Sequence, residues 1–101
     1  MSNIKIRVFG SDECRKCQFY LQFLNISCVE YEYLDVLDFK NDKLCEEYDI
    51  DELPYTQIVK GEEVLLSVTG NINVVWLLRR KKELEIKHEF KSRTNRSSST
   101  C

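Results

Sequence analysis

Ile4-Lys5-Ile6-Arg7-Val8-Phe9-Gly10-Ser11-Asp12-Glu13-Cys14-Arg15-Lys16-Cys17 is the stretch on which the fold turns. Ile4, Ile6 and Val8 alternate with Lys5 and Arg7, which is the two-residue period of a strand. Ser11-Asp12-Glu13 follows as a loop with helix-start character. From Cys14 to about Asn25 the apolar residues Cys17, Tyr20, Leu21 and Leu24 recur at i, i+3, i+4 and i+7, one face of a helix. Val29, Tyr31 and Tyr33 then alternate with Glu30 and Glu32 and predict a second strand. A strand, helix, strand run of this length predicts a parallel pair joined by a right-handed crossover.

Further along, Phe39 to Tyr48 is polar with Leu44, Cys45 and Tyr48 on one side, as in a short surface helix. Leu53-Pro54 introduces a strand over Tyr55 to Lys60, and Gly61-Glu62-Glu63 turns the chain into a second over Val64 to Val68. These two should form an antiparallel hairpin. Gly70-Asn71 ends it, and Asn71 or Asn73 can cap a last helix from near Ile72 to about His88. Within that helix Arg79-Arg80-Lys81-Lys82 precedes Glu83, Glu85 and Glu89, a solvated face with helical ion pairs rather than a nucleic-acid patch. The expected class is α/β: a four-stranded mixed sheet, one parallel pair plus an antiparallel hairpin, flanked by three helices. One domain is expected over 1–91. Over 92–101 the serine-rich sequence has no apolar periodicity, so a disordered tail is expected there.

Composition narrows the setting. A chain of 101 residues with 43% hydrophobic residues is one domain with a real core. The net charge of −2 gives no general attraction to nucleic acid or an acidic membrane, and neither is expected as a partner. No apolar run approaches the ~20 residues of a membrane span, and Lys5 and Arg7 interrupt the only candidate for a signal peptide. Five cysteines is an odd number, whereas a secreted disulfide scaffold wants an even set. A reducing, cytoplasmic location is therefore expected, and a monomeric state is expected as well. In such a setting a close cysteine pair is catalytic or metal-binding more often than structural.

Cys14 and Cys17 are that pair. Residues three apart at a helix start face each other, so their sulfurs can close a small disulfide ring. The first sulfur also lies beside unpaired backbone N–H groups and the positive end of the helix dipole, which favour thiolate over thiol. Arg15 and Lys16 add positive charge, while Asp12 and Glu13 oppose it. Cys14 is thus the candidate nucleophile and Cys17 the resolving thiol. Metal binding is the rival use of this spacing. It wants four ligands, and the chain has no second pair and a single histidine, His88, in the last helix, so no metal ligand is assigned. Pro54, the only proline, taken alone reads as a strand-initiating trans residue. Cys28 and Cys45 read as buried or half-buried small side chains, Trp76 as core packing of the last helix, and Cys101 as a free thiol on the tail. Tyr55 either lines a substrate groove or sits on the sheet edge.

In this order of elements the chain resembles the thioredoxin fold over about residues 4–88. With the Cys-x-x-Cys helix straight after the first strand, it resembles a glutaredoxin. The resemblance implies that Pro54 is cis and faces the cysteine pair, and that the Leu53 backbone pairs with a substrate peptide or glutathione. It further implies that Thr69-Gly70-Asn71-Ile72-Asn73 holds a glutathione carboxylate, as amides at a helix N-terminus can. Glutaredoxins commonly carry Pro-Tyr between the cysteines and thioredoxins Gly-Pro, where this chain has Arg15-Lys16. The basic residue usual before the first cysteine of a glutaredoxin is replaced by Ser11-Asp12-Glu13. The tryptophan and buried aspartate of thioredoxins are replaced by Glu13 and Val8. The implied function is a glutaredoxin-like thiol–disulfide oxidoreductase reducing protein or small-molecule disulfides, without a tightly bound cofactor and with glutathione as reductant. Ribonucleotide reductase is a partner consistent with the resemblance. The alternative is a metal-binding or partner-binding module of the same fold without turnover.

Overall fold

Alternation along the first strand sorts its side chains onto two faces, and the rest of the molecule is built on both. The computed structural model describes residues 3–92. In chain order these form β1 (Ile4–Gly10), α1 (Arg15–Ile26), β2 (Glu32–Asp35), a 3-10 turn at Phe39–Asn41, α2 (Asp42–Glu47), β3 (Tyr55–Lys60), β4 (Glu63–Thr69) and α3 (Val74–Ser92). The sheet order is β2-β1-β3-β4, with β1 and β2 parallel and the other neighbours antiparallel. This is the expected mixed sheet with three helices. The tail expected over 92–101 lies outside the described residues, apart from Ser92, the last residue of α3.

Ile4, Ile6 and Val8 of β1 form one core with Ile58 of β3, Tyr20 and Leu24 of α1 and Leu77 of α3. Each such side chain removed from water stabilises the fold by roughly 1.5–3 kcal/mol. Inside this core the Tyr20 hydroxyl is satisfied by Thr56 Oγ1 at 2.8 Å. On the other face Phe9 packs against Tyr48, which follows α2, and against Tyr55. There Arg7 donates from Nε and Nη2 to the buried Gln57 Oε1, at 3.2 and 2.9 Å.

One strand and one helical segment start elsewhere than the pattern suggested. The second strand is Glu32–Asp35, not Val29 to Tyr33. Val29 is held by its N–H to Leu24 O, 2.9 Å, as part of the turn that ends α1, and pairing with β1 begins only at Arg7↔Glu32. The segment Phe39 to Tyr48 divides into the 3-10 turn and the six-residue α2. Cys28 is exposed rather than buried or half-buried. It occupies the left-handed position after α1, φ +57°, with its N–H on Asn25 O and the next N–H on Leu24 O. That bonding pattern closes a helix C-terminus and ordinarily wants glycine. Asp49, φ +51°, does the same after α2, where its N–H meets Glu46 O and that of Ile50 meets Cys45 O.

Trp76 is 39% exposed, while its neighbour Leu77 is fully buried. One residue is a 100° step around a helix, so only one of the two can face the sheet. The Trp76 ring instead carries the Arg80 guanidinium at 5.8 Å, and Arg80–Glu83 and Lys81–Glu85 pair along α3. No helix among the described residues is long and apolar enough to cross a membrane.

Candidate active site

Where β1 ends, Ser11 organises the turn into α1. Its buried hydroxyl oxygen accepts from the Glu13 N–H at 3.1 Å, and its carbonyl accepts from the Cys14 N–H and from Gln18 Nε2, both at 3.1 Å. Cys14 is thereby placed as the N-cap of α1, in extended backbone, and its sulfur accepts from the Cys17 N–H at 3.2 Å. An N-cap side chain ordinarily supplies an oxygen for one of the unpaired amides of the first turn; here a sulfur does so. The two cysteines are joined as a disulfide, with Cα atoms 5.2 Å apart. Cys14 is half-buried and Cys17 has no exposed surface. Arg15 and Lys16 are exposed in the first turn, as are Asp12 and Glu13 in the preceding loop.

Pairing of Phe9 with Tyr55 and of Tyr55 with Thr69 brings the remaining candidates to this end of the sheet. Pro54 is buried, and the Leu53–Pro54 bond is cis. Its carbonyl accepts from the Gly70 N–H at 2.7 Å, which ties the proline loop to the turn after β4. Gly70 has φ +86°, a conformation that glycine adopts without penalty. Asn73 is committed to its own helix: its Oδ1 accepts from the N–H groups of Val75 and Trp76 at 2.8 and 3.3 Å. Of the two asparagines considered as caps, Asn73 is the one that caps α3, while Asn71 is exposed. Tyr55 is half-buried on an interior strand, its ring 5.8 Å from that of Phe9, so it is not an edge tyrosine.

Two residues at this site gave no signal of their own in the sequence. A Cβ on Gly10 would stand 3.2 Å from Cys17 Sγ and 3.2 Å from Tyr33 Cε1, so the absence of a side chain there lets the first turn of α1 settle on the sheet. Tyr33 closes the other side. The signal available was only Gly10 itself, the last strand residue before the loop. Among the described residues no group of three or more histidine, cysteine or acidic side chains is arranged to hold a metal ion. An open cavity of about 900 Å³ lies at the opposite end of β1, around Ile4, Cys28, Tyr31 and Lys81, and contains neither cysteine of the pair.

No family model and no curated protein matches the chain. Solved structures do. A mutant thioredoxin from Halobacterium salinarum superposes with a TM-score of 0.72 at 17% identity, over 83% of this chain and 76% of that one. Spinach chloroplast thioredoxin f gives 0.68 at 21% identity, over 81% and 70%. Trichomonas vaginalis thioredoxin gives 0.64 at 22% identity, over 80% and 78%. The chain has the thioredoxin fold. Identities this low carry the architecture alone, and the chemistry rests on the residues of the site. Within the thioredoxin fold this chain places a disulfide at the start of α1, its first cysteine half-buried and its second fully covered. Such a pair can accept two electrons and return them by thiol–disulfide exchange.

Proposed function

We propose that the protein is a glutaredoxin-like thiol–disulfide oxidoreductase that reduces protein or small-molecule disulfides through Cys14 and Cys17. The observation that carries this reading is the unequal burial of the two cysteines at the N-terminus of α1. The Cys14 thiolate attacks one sulfur of a substrate disulfide, forms a mixed disulfide and releases the first substrate thiolate. Cys17, deprotonated, then attacks Cys14 Sγ, re-forms the intramolecular disulfide and releases the second substrate thiol. Two electrons have passed to the substrate, and two equivalents of glutathione return them in the same two-step exchange, ending as glutathione disulfide.

Glutathione is the reductant favoured by the family resemblance at Leu53-Pro54 and Thr69 to Asn73. The amides of Gly70, Val75 and Trp76 already have acceptors in Pro54 O and Asn73 Oδ1, so a carboxylate would have to use other N–H groups of this turn. The two acids before Cys14 also oppose an anionic thiol. A cytoplasmic setting and an acceptor such as ribonucleotide reductase belong to the same proposal. The deciding experiment supplies electrons from glutathione with its reductase in one arm and from thioredoxin reductase in the other, with a disulfide substrate in both. Turnover in the first arm supports the reading. Turnover in the second alone moves the protein to thioredoxin-type recharging, and turnover in neither leaves the fold as a binding module.

A further inference from the structure

Tyr33 and Cys17, the buried half of the redox pair, border the same space beside Gly10. Parallel register places it beside Val8, on the sheet face that α1 covers, and its ring edge and Cys17 Sγ each lie 3.2 Å from the position of a Gly10 Cβ. Its hydroxyl is buried, yet it has no hydrogen-bond partner among the described residues. Tyr20, the other buried phenol, is satisfied by Thr56. Buried hydroxyls are ordinarily paired, and one without a partner calls for a reason. Burial first, then Asp35, Asp12 and Tyr31, raise the Tyr33 pKa, which keeps the phenol protonated and so able to donate.

We propose that Tyr33 is a positioning residue for Cys17: its hydroxyl donates a hydrogen bond to the Cys17 sulfur once the disulfide is reduced. In the disulfide neither sulfur is placed to accept from this hydroxyl, although Cys14 Sγ accepts from the Cys17 N–H; reduction frees Cys17 Sγ to turn, and as a thiolate it is the stronger acceptor. Hydrogen bonds to charged acceptors are the stronger kind, and this one would be made away from water. Reduction is thereby favoured, and Cys17 is held as thiolate for its attack on the mixed disulfide, in a place where solvent offers it nothing. The inference rests on the proposed two-cysteine exchange, but the redox equilibrium of the pair can be measured whether or not any physiological substrate is turned over.

The test is Tyr33→Phe in the full chain, with the Cys14–Cys17 pair equilibrated against dithiothreitol. The equilibrium should shift about tenfold toward the disulfide, which is about 30 mV for a two-electron couple. Tyr20→Phe, which removes a paired hydroxyl from the same core, should lower stability and leave that equilibrium within twofold. A Tyr33→Phe equilibrium within twofold of the parent overturns the proposal, because a purely structural tyrosine would affect both redox forms alike. A second measurement needs no variant. Reduction of the parent protein should produce a tyrosine ultraviolet difference spectrum, and its absence also overturns the proposal. Should glutathione and thioredoxin reductase both fail to drive turnover while the tenfold shift is seen, the functional reading falls and the Tyr33–Cys17 interaction stands.

Discussion

The N–H of Cys17 donates to Cys14 Sγ at 3.2 Å, while the Cys17 side chain itself has no exposed surface. In the proposed exchange this one peptide group stabilises the Cys14 thiolate, and it belongs to the residue that then attacks Cys14 Sγ and displaces the substrate thiolate. On this geometry Cys14 is the group open to reagents. In the reduced protein, iodoacetamide at mildly acidic pH should label Cys14 at least tenfold faster than Cys17. Cys17→Ser should accumulate the mixed disulfide with substrate, and Cys14→Ser should accumulate none. Faster labelling of Cys17 would reverse the assigned roles.

Gly10 is where the first turn of α1 lies against the sheet. Gly10→Ala puts a methyl group 3.2 Å from Cys17 Sγ and from Tyr33 Cε1, and 3.3 Å from Cys17 Cβ. Cys17 has no exposed surface and is tied into the disulfide, and Tyr33 is half-buried with its hydroxyl covered, so neither moves freely. Overpacking of this kind costs about 1–3 kcal/mol. The urea midpoint of the variant should fall accordingly, with its m-value unchanged. A midpoint equal to the parent's would mean that the first turn of α1 is looser than these distances describe.

Much of this architecture was legible from residue pattern. The period of Ile4, Ile6 and Val8, the face Cys17, Tyr20 and Leu24, and the strand Tyr55 to Lys60 all stand as read. The first two depend on burial of one face, the strongest imprint that folding leaves on a sequence, whereas the third strand is buried on both faces and was bounded by Pro54 before it and Gly61 after it. Helix ends were less legible. The usual glycine after a helix is replaced by Cys28 and Asp49 in left-handed backbone, so neither residue announced its turn. Trp76 misled by size: hydrophobicity marks it for the core, but the helix phase set by Leu77 turns it outward. At the site, Cys14 and Cys17 were visible as a motif. The contacts of Gly10 and Tyr33 arise from strands pairing across distance, which no local spacing records.

Cys28 holds φ +57° without being glycine. A left-handed conformation costs an L-residue roughly 1–2 kcal/mol, and glycine gives back about 0.5–1 kcal/mol through its freer unfolded chain. Cys28→Gly should therefore raise stability by up to about 1 kcal/mol, read as a higher urea midpoint, whereas Cys28→Ala should give no gain. It should also remove an exposed thiol without changing turnover, since Cys28 lies at the far end of α1 from the redox pair. Equal midpoints for the glycine and alanine variants would reject the backbone explanation.

Tyr20 and Thr56 bond inside the core at 2.8 Å. Removing one partner strands the other: Tyr20→Phe should cost about 1–3 kcal/mol, while the double change Tyr20→Phe with Thr56→Val should cost less than the two single changes together. The same bond has a pH signature. Burial raises the Tyr20 pKa above 10.0, outweighing the lowering by Thr56. The folded state then holds the phenol proton more tightly than the unfolded state. Its stabilising contribution is complete below pH 10 and is lost as pH rises through the folded-state value. Alkaline urea titrations should show stability falling above about pH 10, with a shallower fall in Tyr20→Phe. Identical slopes in parent and variant would assign the alkaline limb to other groups, Tyr33 first among them, whose pKa is also raised.

Asp12 and Glu13 stand exposed in the loop that delivers Cys14 to its helix. In the proposed reaction with glutathione they are the nearest chain neighbours to the nucleophile on its N-terminal side, and both have the wrong sign for an anionic thiol. Like charges at ~4 Å oppose each other by up to about 4 kcal/mol at an intermediate dielectric, and by far less when solvated, as these two are. Changing them together, Asp12→Lys with Glu13→Ser, should lower the Michaelis constant for glutathione several-fold and raise turnover with it. The Ser11 hydroxyl accepts from the backbone N–H of residue 13 and not from its side chain, so the loop should survive the exchange. Exposed charges are screened beyond about 10 Å at 0.1 M salt, and the gain should accordingly shrink as salt is added. Steady-state kinetics at two ionic strengths measures both effects. An unchanged Michaelis constant at low salt would mean that glutathione does not approach Cys14 past this loop, and the thiol donor would have to be sought among uncharged or basic reductants.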